Sequence, residues 1–419
     1  MRTTLVALAT MMLSMVAAAD PAPYKVPLYR RSNGVVSAAG KALDSGVLAG
    51  TVHIGNPPQE FTMAFDTSSG YSWVRGSRCK SENCLDRCTY YARRSNTSQP
   101  TGKKFSVKYG DDACVDTHVY LDTVEFSGIQ VQDMPFGGAY RMSGFADGLD
   151  GYLGLGPAVN LNTSKLSVGN NNNSGGLSKR DMSSSAFVPN AYQQGAGVGS
   201  SQFGMYTTDN GAGFDQNGGT GGGALPPAPA KRSNTQESPA GYLVLGGIDT
   251  NAIDGNMTYV PLAAESKGNW DVCIKHAQLN NALALPQLDN AIASISTSNP
   301  TIVMPACQAD EFKRKYGFKF YQKSKTYSVK CSEIKDLPPL ELVLEDKTIT
   351  LPASYWTREI DADRDCCEVL LSKGSSSKDW VLGVPFTNAF YTTFDSQNNQ
   401  VGLAIKKGNK NNQLKISDA

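Results

Sequence analysis

The residues best placed to do chemistry come as a repeated pair. Phe65-Asp66-Thr67-Ser68-Ser69 sets a carboxylate among hydroxyls, and the pattern returns in the second half as Ile295-Ser296-Thr297-Ser298-Asn299. Asp66 can take or release a proton. Ser296 carries a hydroxyl that can hold a water but does not ionise at any working pH. Each motif is answered downstream by an apolar pair and a glycine, Tyr152-Leu153-Gly154 in the first half and Val381-Leu382-Gly383 in the second. A turn followed at long range by such a strand, twice, is a two-fold design. Each strand is expected to cross beside its own turn and hold it at the seam between two lobes.

The elements that position these turns read as β. Residues 50–54, 61–65, 118–126, 242–245, 340–344 and 391–394 are rich in branched and aromatic side chains and bounded by Gly, Pro, Asn or Asp. The best helical signal covers 307–316, with Pro305 ahead and Gly317 beyond. The chain is therefore expected to be all-β with a few short helices. About 400 residues exceed what one core organises, so two lobes are the default.

Residues 1–19 join Arg2 to an apolar run and end in Ala17-Ala18-Ala19, the pattern of a signal peptide. That run is shorter than the about 20 apolar residues that span a bilayer. The mature chain is expected to be secreted and extracellular. A net charge of +1 without a basic stripe excludes nucleic acid and membrane surface as partners. Three scattered histidines give no metal site, and no cofactor is expected. Export would oxidise most of the nine cysteines, with connectivity open and at least one thiol left over. Sequons at Asn96, Asn162, Asn172 and Asn256 fit a glycosylated surface. Residues 159–185 and 209–239 are Asn, Ser, Gly, Thr and Pro with little to bury, and read as surface loops. Their dibasic pairs Lys179-Arg180 and Lys231-Arg232, like Arg30-Arg31, invite processing proteolysis.

Further motifs run in a recognisable order: Ile54-Gly55-Asn56-Pro57-Pro58-Gln59 before Asp66, Trp73-Val74 after it, Tyr109-Gly110-Asp111, Asp150-Gly151-Tyr152-Leu153-Gly154, Leu245-Gly246-Gly247, and Trp380-Val381-Leu382-Gly383. Together they resemble the pepsin-type aspartic peptidases, the peptidase A1 family. The resemblance implies a bilobal acid-protease fold with a peptide or protein in the cleft between pseudo-symmetric lobes, and a monomer. It implies a short prosegment over 20–40, an N-terminal lobe over 41–240 and a C-terminal lobe over 241–419. Asp66 becomes the first catalytic aspartate, with Ser69 bonded to its outer oxygen. Tyr109 and Gly110 belong to a flap braced by Trp73, and Thr67 and Thr297 flank the site on the substrate side. Lys41 is a candidate to face the carboxylate from the prosegment.

The second half departs from the family pattern. Counting back nine residues from Pro305, as the family's spacing requires, lands on Ser296 rather than on an aspartate. Asp289 is the nearest acid, at the wrong distance. Glycine of each turn is replaced, by Ser68 and by Ser298. The family's chemistry needs two adjacent carboxylates sharing one proton, one as acid and one as base. With one left, the expectation is an impaired or inactive homologue whose cleft persists, and Asp66 is expected to titrate near an ordinary carboxylate value. The alternative is a working acid endopeptidase with a non-standard second segment.

Overall fold

The computed structural model describes residues 22–30, 41–42, 48–85, 87–109, 113–145, 149–157, 159, 161, 185–207, 241–264, 269–279, 283–321, 326–361 and 363–419. The expected signal peptide, Gly110 and the dibasic pairs at 179–180 and 231–232 lie outside these residues.

The chain is mostly strand, with short helices at Phe187–Gln193, Ala306–Tyr316 and Val384–Thr387. Each lobe builds the same four-strand frame. In the first, Leu48–Ile54 pairs antiparallel with Gln59–Asp66, which runs parallel to Gly151–Gly154, which in turn pairs antiparallel with Trp73–Arg75. In the second, Asp271–Leu279, Ile292–Ile295, Trp380–Leu382 and Ile302–Met304 repeat those relations in the same order. The register sets Asp66 opposite Gly154, and Ile295, the residue before Ser296, opposite Leu382.

Close backbone crossing at these frames requires glycine. A Cβ on Gly154 would stand 2.7 Å from the backbone carbon of Gly70, and one on Gly383 only 2.1 Å from the Thr301 carbonyl oxygen. Both approaches are shorter than atoms tolerate, so neither position admits a side chain.

Beneath the seam lies an antiparallel sheet shared by both halves. Its order is Ile253–Pro261, Gln400–Lys406, Phe390–Asp395, Phe203–Thr207, Gly241–Leu245 and Tyr24–Arg30. The last strand comes from the segment expected as a prosegment. Val26 is fully buried in it, and the Lys25 ammonium sits 2.6 Å from Asp249 and 4.0 Å above the Tyr242 ring. Residues 24–30 are thus a working strand of the sheet. Lys41 falls on the neighbouring strand, its backbone between Tyr29 and Ala49.

The helix expected over 307–316 spans Ala306–Tyr316 and ends at Gly317, whose φ of 64° terminates it in the left-handed region. The first low-complexity stretch, expected to have little to bury, is packed at its two ends. Leu161 is buried, and Ser185 Oγ accepts a hydrogen bond from the Val159 amide at 2.8 Å. Most cysteines were expected to oxidise, but the described pairs are Cys79–Cys84 and Cys331–Cys367, while Cys88, Cys114 and Cys307 are exposed thiols. Disulfides need their Cα atoms within about 7 Å, a condition composition does not reveal. No helix among the described residues is long and apolar enough to cross a membrane.

Candidate active-site cleft

Each site turn begins where its strand ends. Asp66 closes Gln59–Asp66 and its carbonyl accepts from the Leu155 amide at 2.7 Å; the Ser296 amide donates to the Leu382 carbonyl at 3.0 Å. The apolar-Gly strands therefore grip both turns, as the duplication implied.

The turns also grip one another. Thr67 Oγ1 donates to the Ile295 carbonyl and accepts from the Thr297 amide, each at 3.0 Å. Thr297 Oγ1 donates to the Phe65 carbonyl at 2.7 Å and accepts from the Thr67 amide at 3.3 Å. Both threonines are buried, so their hydroxyls are engaged across the seam rather than turned to the substrate side.

Asp66 is fully buried. Its Oδ1 accepts from the Ser68 amide at 2.9 Å, from Ser298 Oγ at 2.8 Å and from Ser68 Oγ. Its Oδ2 is buried without a hydrogen bond. Ser296 Oγ accepts from the Asn299 amide at 3.1 Å and lies 3.3 Å from Ser298 Oγ. Because each hydroxyl has one proton, and Ser68 and Ser298 direct theirs to Asp66, Ser296 donates to Ser298. Asp66 and Ser296 thus face each other two hydrogen bonds apart, with the Ser298 hydroxyl between them.

Several expectations shift here. Ser69 does not bond the aspartate; its Oγ accepts from the Tyr71 amide at 3.1 Å, a local turn bond that keeps the hydroxyl at home. Ser68 and Ser298, read from sequence only as bulkier stand-ins for glycine, are the residues that bond Asp66. The signal was there in their matching positions two residues beyond Asp66 and Ser296. Asp289 is exposed and forms none of the hydrogen bonds of this cluster.

Trp73 is buried and its Nε1 donates to the Tyr109 hydroxyl at 2.9 Å, so the flap tyrosine is braced over the cleft. Tyr152 stacks on Trp73 at 5.1 Å, and Phe145 packs at 5.5 Å from Tyr109, building an aromatic wall beside Asp66. Burial, and after it the Asp66 carboxylate, pushes the Tyr109 phenol well above its ordinary value; the same two causes raise Tyr152.

Asp66 itself does not titrate near its ordinary value. Burial raises it above 3.8, against the opposing pull of Ser68, Ser298 and Tyr109. The folded state therefore binds this proton more tightly than the unfolded chain. Its contribution to stability is fully present below pH 3.8 and is lost as pH rises through the higher folded value. Asp66→Asn keeps an acceptor for the Oδ1 donors and removes the buried charge. Its melting temperature is expected to match the parent's near pH 3 and to exceed it at neutral pH. Thermal melts across pH check this; a parent that melts higher at neutral pH would show that the hydroxyl donors outweigh burial.

The eukaryotic aspartyl protease family model matches residues 48–213 and 231–406. Gastricsin of Mus musculus is 27% identical over 363 residues, covering 85% of this chain and 80% of its own length. Pepsin A of Suncus murinus is 26% identical over 364 residues with the same coverage. The fold is shared with the crystal structure of aspartic proteinase from Irpex lacteus, at a TM-score of 0.66 and 19% identity over 94% of this chain and 100% of that one.

Proposed function

The chain belongs to the pepsin-type eukaryotic aspartyl proteases, and from that premise we propose that it is an exported member whose cleft holds peptides without cleaving them. One observation carries the reading: among the described residues only hydroxyls stand opposite Asp66, and Ser298 Oγ lies 2.8 Å from Asp66 Oδ1, where an activated water would need to be. Asp66 can accept a proton, but among the described residues no second carboxyl is hydrogen-bonded to it to donate one to the substrate carbonyl. Losing one proton-transfer partner costs about 10²–10⁴ in rate. The intact flap brace and aromatic wall support retention of a peptide-sized groove.

The remaining features agree with export and a peptide partner. The N-terminal pattern of 1–19 supports secretion, and near-neutral charge supports a protein or peptide partner over nucleic acid or membrane. Purified protein incubated with denatured haemoglobin or casein at about pH 3–5, the range in which a shared-proton dyad works, is expected to release no peptide above the blank. A statine-type analogue, which places a hydroxyl between two carboxylates, is expected to bind weakly.

The competing reading, an acid endopeptidase with a non-standard second segment, draws on Asp66, Trp73 and Tyr109 of the first half-site. Degradation that is sensitive to the analogue and lost in Asp66→Asn would establish it and end the inert reading.

A further inference from the structure

We infer that Asn96 carries an N-glycan whose first sugars lie back into a polar cavity on the first lobe, away from the cleft. The cavity measures about 810 Å³, and none of Asp66, Tyr109 or Ser296 lines it. Its walls come from the turn after Leu48–Ile54, the segment ahead of Gln99–Tyr109 and the hairpin entering Ile129–Ser143. Pro58 is the one apolar side chain on those walls among the described residues. Asn56, Asn96, Gln130 and Gln132 each present a side-chain amide that hydrogen-bonds to no other residue, and beside them His53 Nδ1 and Glu125 are paired at 2.6 Å. Planar amides with free donors and acceptors, plus a carboxylate, match the alternating hydroxyls and N-acetyl groups of a sugar chain. A peptide or lipid would find no apolar wall to bury against.

The root of that sugar is held firmly. Asn96 begins the sequon Asn96-Thr97-Ser98 and its side chain is exposed at the cavity rim. The Asn96 amide donates to the Asn56 carbonyl at 2.6 Å. Its neighbours are tied to one buried carboxylate: Ser95 Oγ at 3.0 Å and Thr97 Oγ1 at 2.5 Å both donate to Asp122 Oδ1, while Tyr90 donates to Oδ2 at 2.6 Å. A sequon clamped on both sides aims its glycan in one direction, and the adjoining space is the cavity. Asn256, the other sequon asparagine among the described residues, is also exposed but borders none of the described cavities.

The inference rests on the export reading, because sequons are used in the secretory pathway. The full chain is expressed with secretion in a eukaryotic host, and glycopeptides are mapped. Asn96 is expected to be occupied. Trimming the glycans to their first sugar with an endoglycosidase is expected to speed amide exchange severalfold at Gly55, Asn56 and 129–133 and to leave the surroundings of Asn256 unchanged. The pair Gln130→Ala and Gln132→Ala is expected to produce the same local loss of protection with the glycan intact. A secreted chain without sugar at Asn96, or exchange that ignores trimming, overturns the inference. Binding of free chitobiose to the Asn96→Gln chain, with Asn96 unoccupied in the parent, overturns it in favour of a site for sugar from outside. Retention inside the cell overturns it together with the export reading, whereas a secreted chain bare at Asn96 leaves that reading standing.

Discussion

The double variant Ser296→Asp with Ser298→Gly is expected to degrade denatured haemoglobin at acid pH at least about 10²–10⁴ times faster than the parent, the worth of a proton-transfer partner. A carboxylate at 296 would start from a position already fixed by the Ser296 amide bond to Leu382 and supplied with the Asn299 N–H as a donor. Asp66 is in place, buried, and served by the Ser68 amide. What remains in the way is the Ser298 hydroxyl, which stands between the two positions at 2.8 Å from Asp66 and 3.3 Å from Ser296. Removing it frees a water-sized space next to both carboxylates. Ser296→Asp alone is therefore expected to gain less, because its new carboxylate meets a hydroxyl where the nucleophile belongs. Asp66→Asn in the double background is expected to return activity to the blank. Equal activity of the single and double variants would show that the Ser298 hydroxyl does not block the site. A double variant that melts like the parent yet stays inert would show that the cleft itself has drifted.

How much of this was readable beforehand follows from what is local. The duplicated turns and their apolar-Gly strands were legible because both halves of each pairing carry their own pattern, and the family's nine-residue spacing to Pro305 pointed to Ser296 as the second position. The hydrogen-bond assignments were not. Whether Ser68 or Ser69 reaches Asp66 depends on which hydroxyl the turn itself consumes, and the Tyr71 amide takes Ser69. Nor was the acidity of Asp66. Half a dyad suggested an ordinary carboxylate, but desolvation is set by what closes over the group, here the Tyr109 flap and the opposite turn. The strand Tyr24–Arg30 resembled the start of a prosegment, and its pairing was not legible because its partner, Gly241–Leu245, lies more than two hundred residues away, across a stretch of composition that carries no pairing signal. Buried Val26 and the Lys25–Asp249 pair make it part of the sheet that both lobes share.

The seam itself should prove the most sensitive place to remove two methyl-sized groups' worth of polarity. Thr67→Val and Thr297→Val keep side-chain shape and delete only hydroxyls. Without Thr67 Oγ1, the Ile295 carbonyl loses its donor and the Thr297 amide its acceptor; without Thr297 Oγ1, the Phe65 carbonyl and the Thr67 amide are orphaned in turn. Phe65, Thr67, Ile295 and Thr297 are all buried, so water cannot step in. Unsatisfied buried groups at about 1–3 kcal/mol apiece put each single variant at about 2–6 kcal/mol and the double above either. Thr67 and Thr297 touch within one hydrogen-bond network, so the two losses are expected to couple rather than simply add. A loss of that size is comparable to the about 5–15 kcal/mol that holds a folded domain together. Denaturant unfolding is expected to show the double variant largely unfolded or with its midpoint sharply lowered, while Thr67→Ser, which retains the hydroxyl, stays close to the parent. Because the same bonds set the spacing of the two turns, Thr67→Val introduced beside Ser296→Asp and Ser298→Gly is also expected to cut the recovered proteolysis more than it lowers the amount of folded protein. A double valine variant that unfolds with the parent's midpoint would mean that the lobes are held by the shared sheet beneath and that the threonine bonds across the seam add nothing.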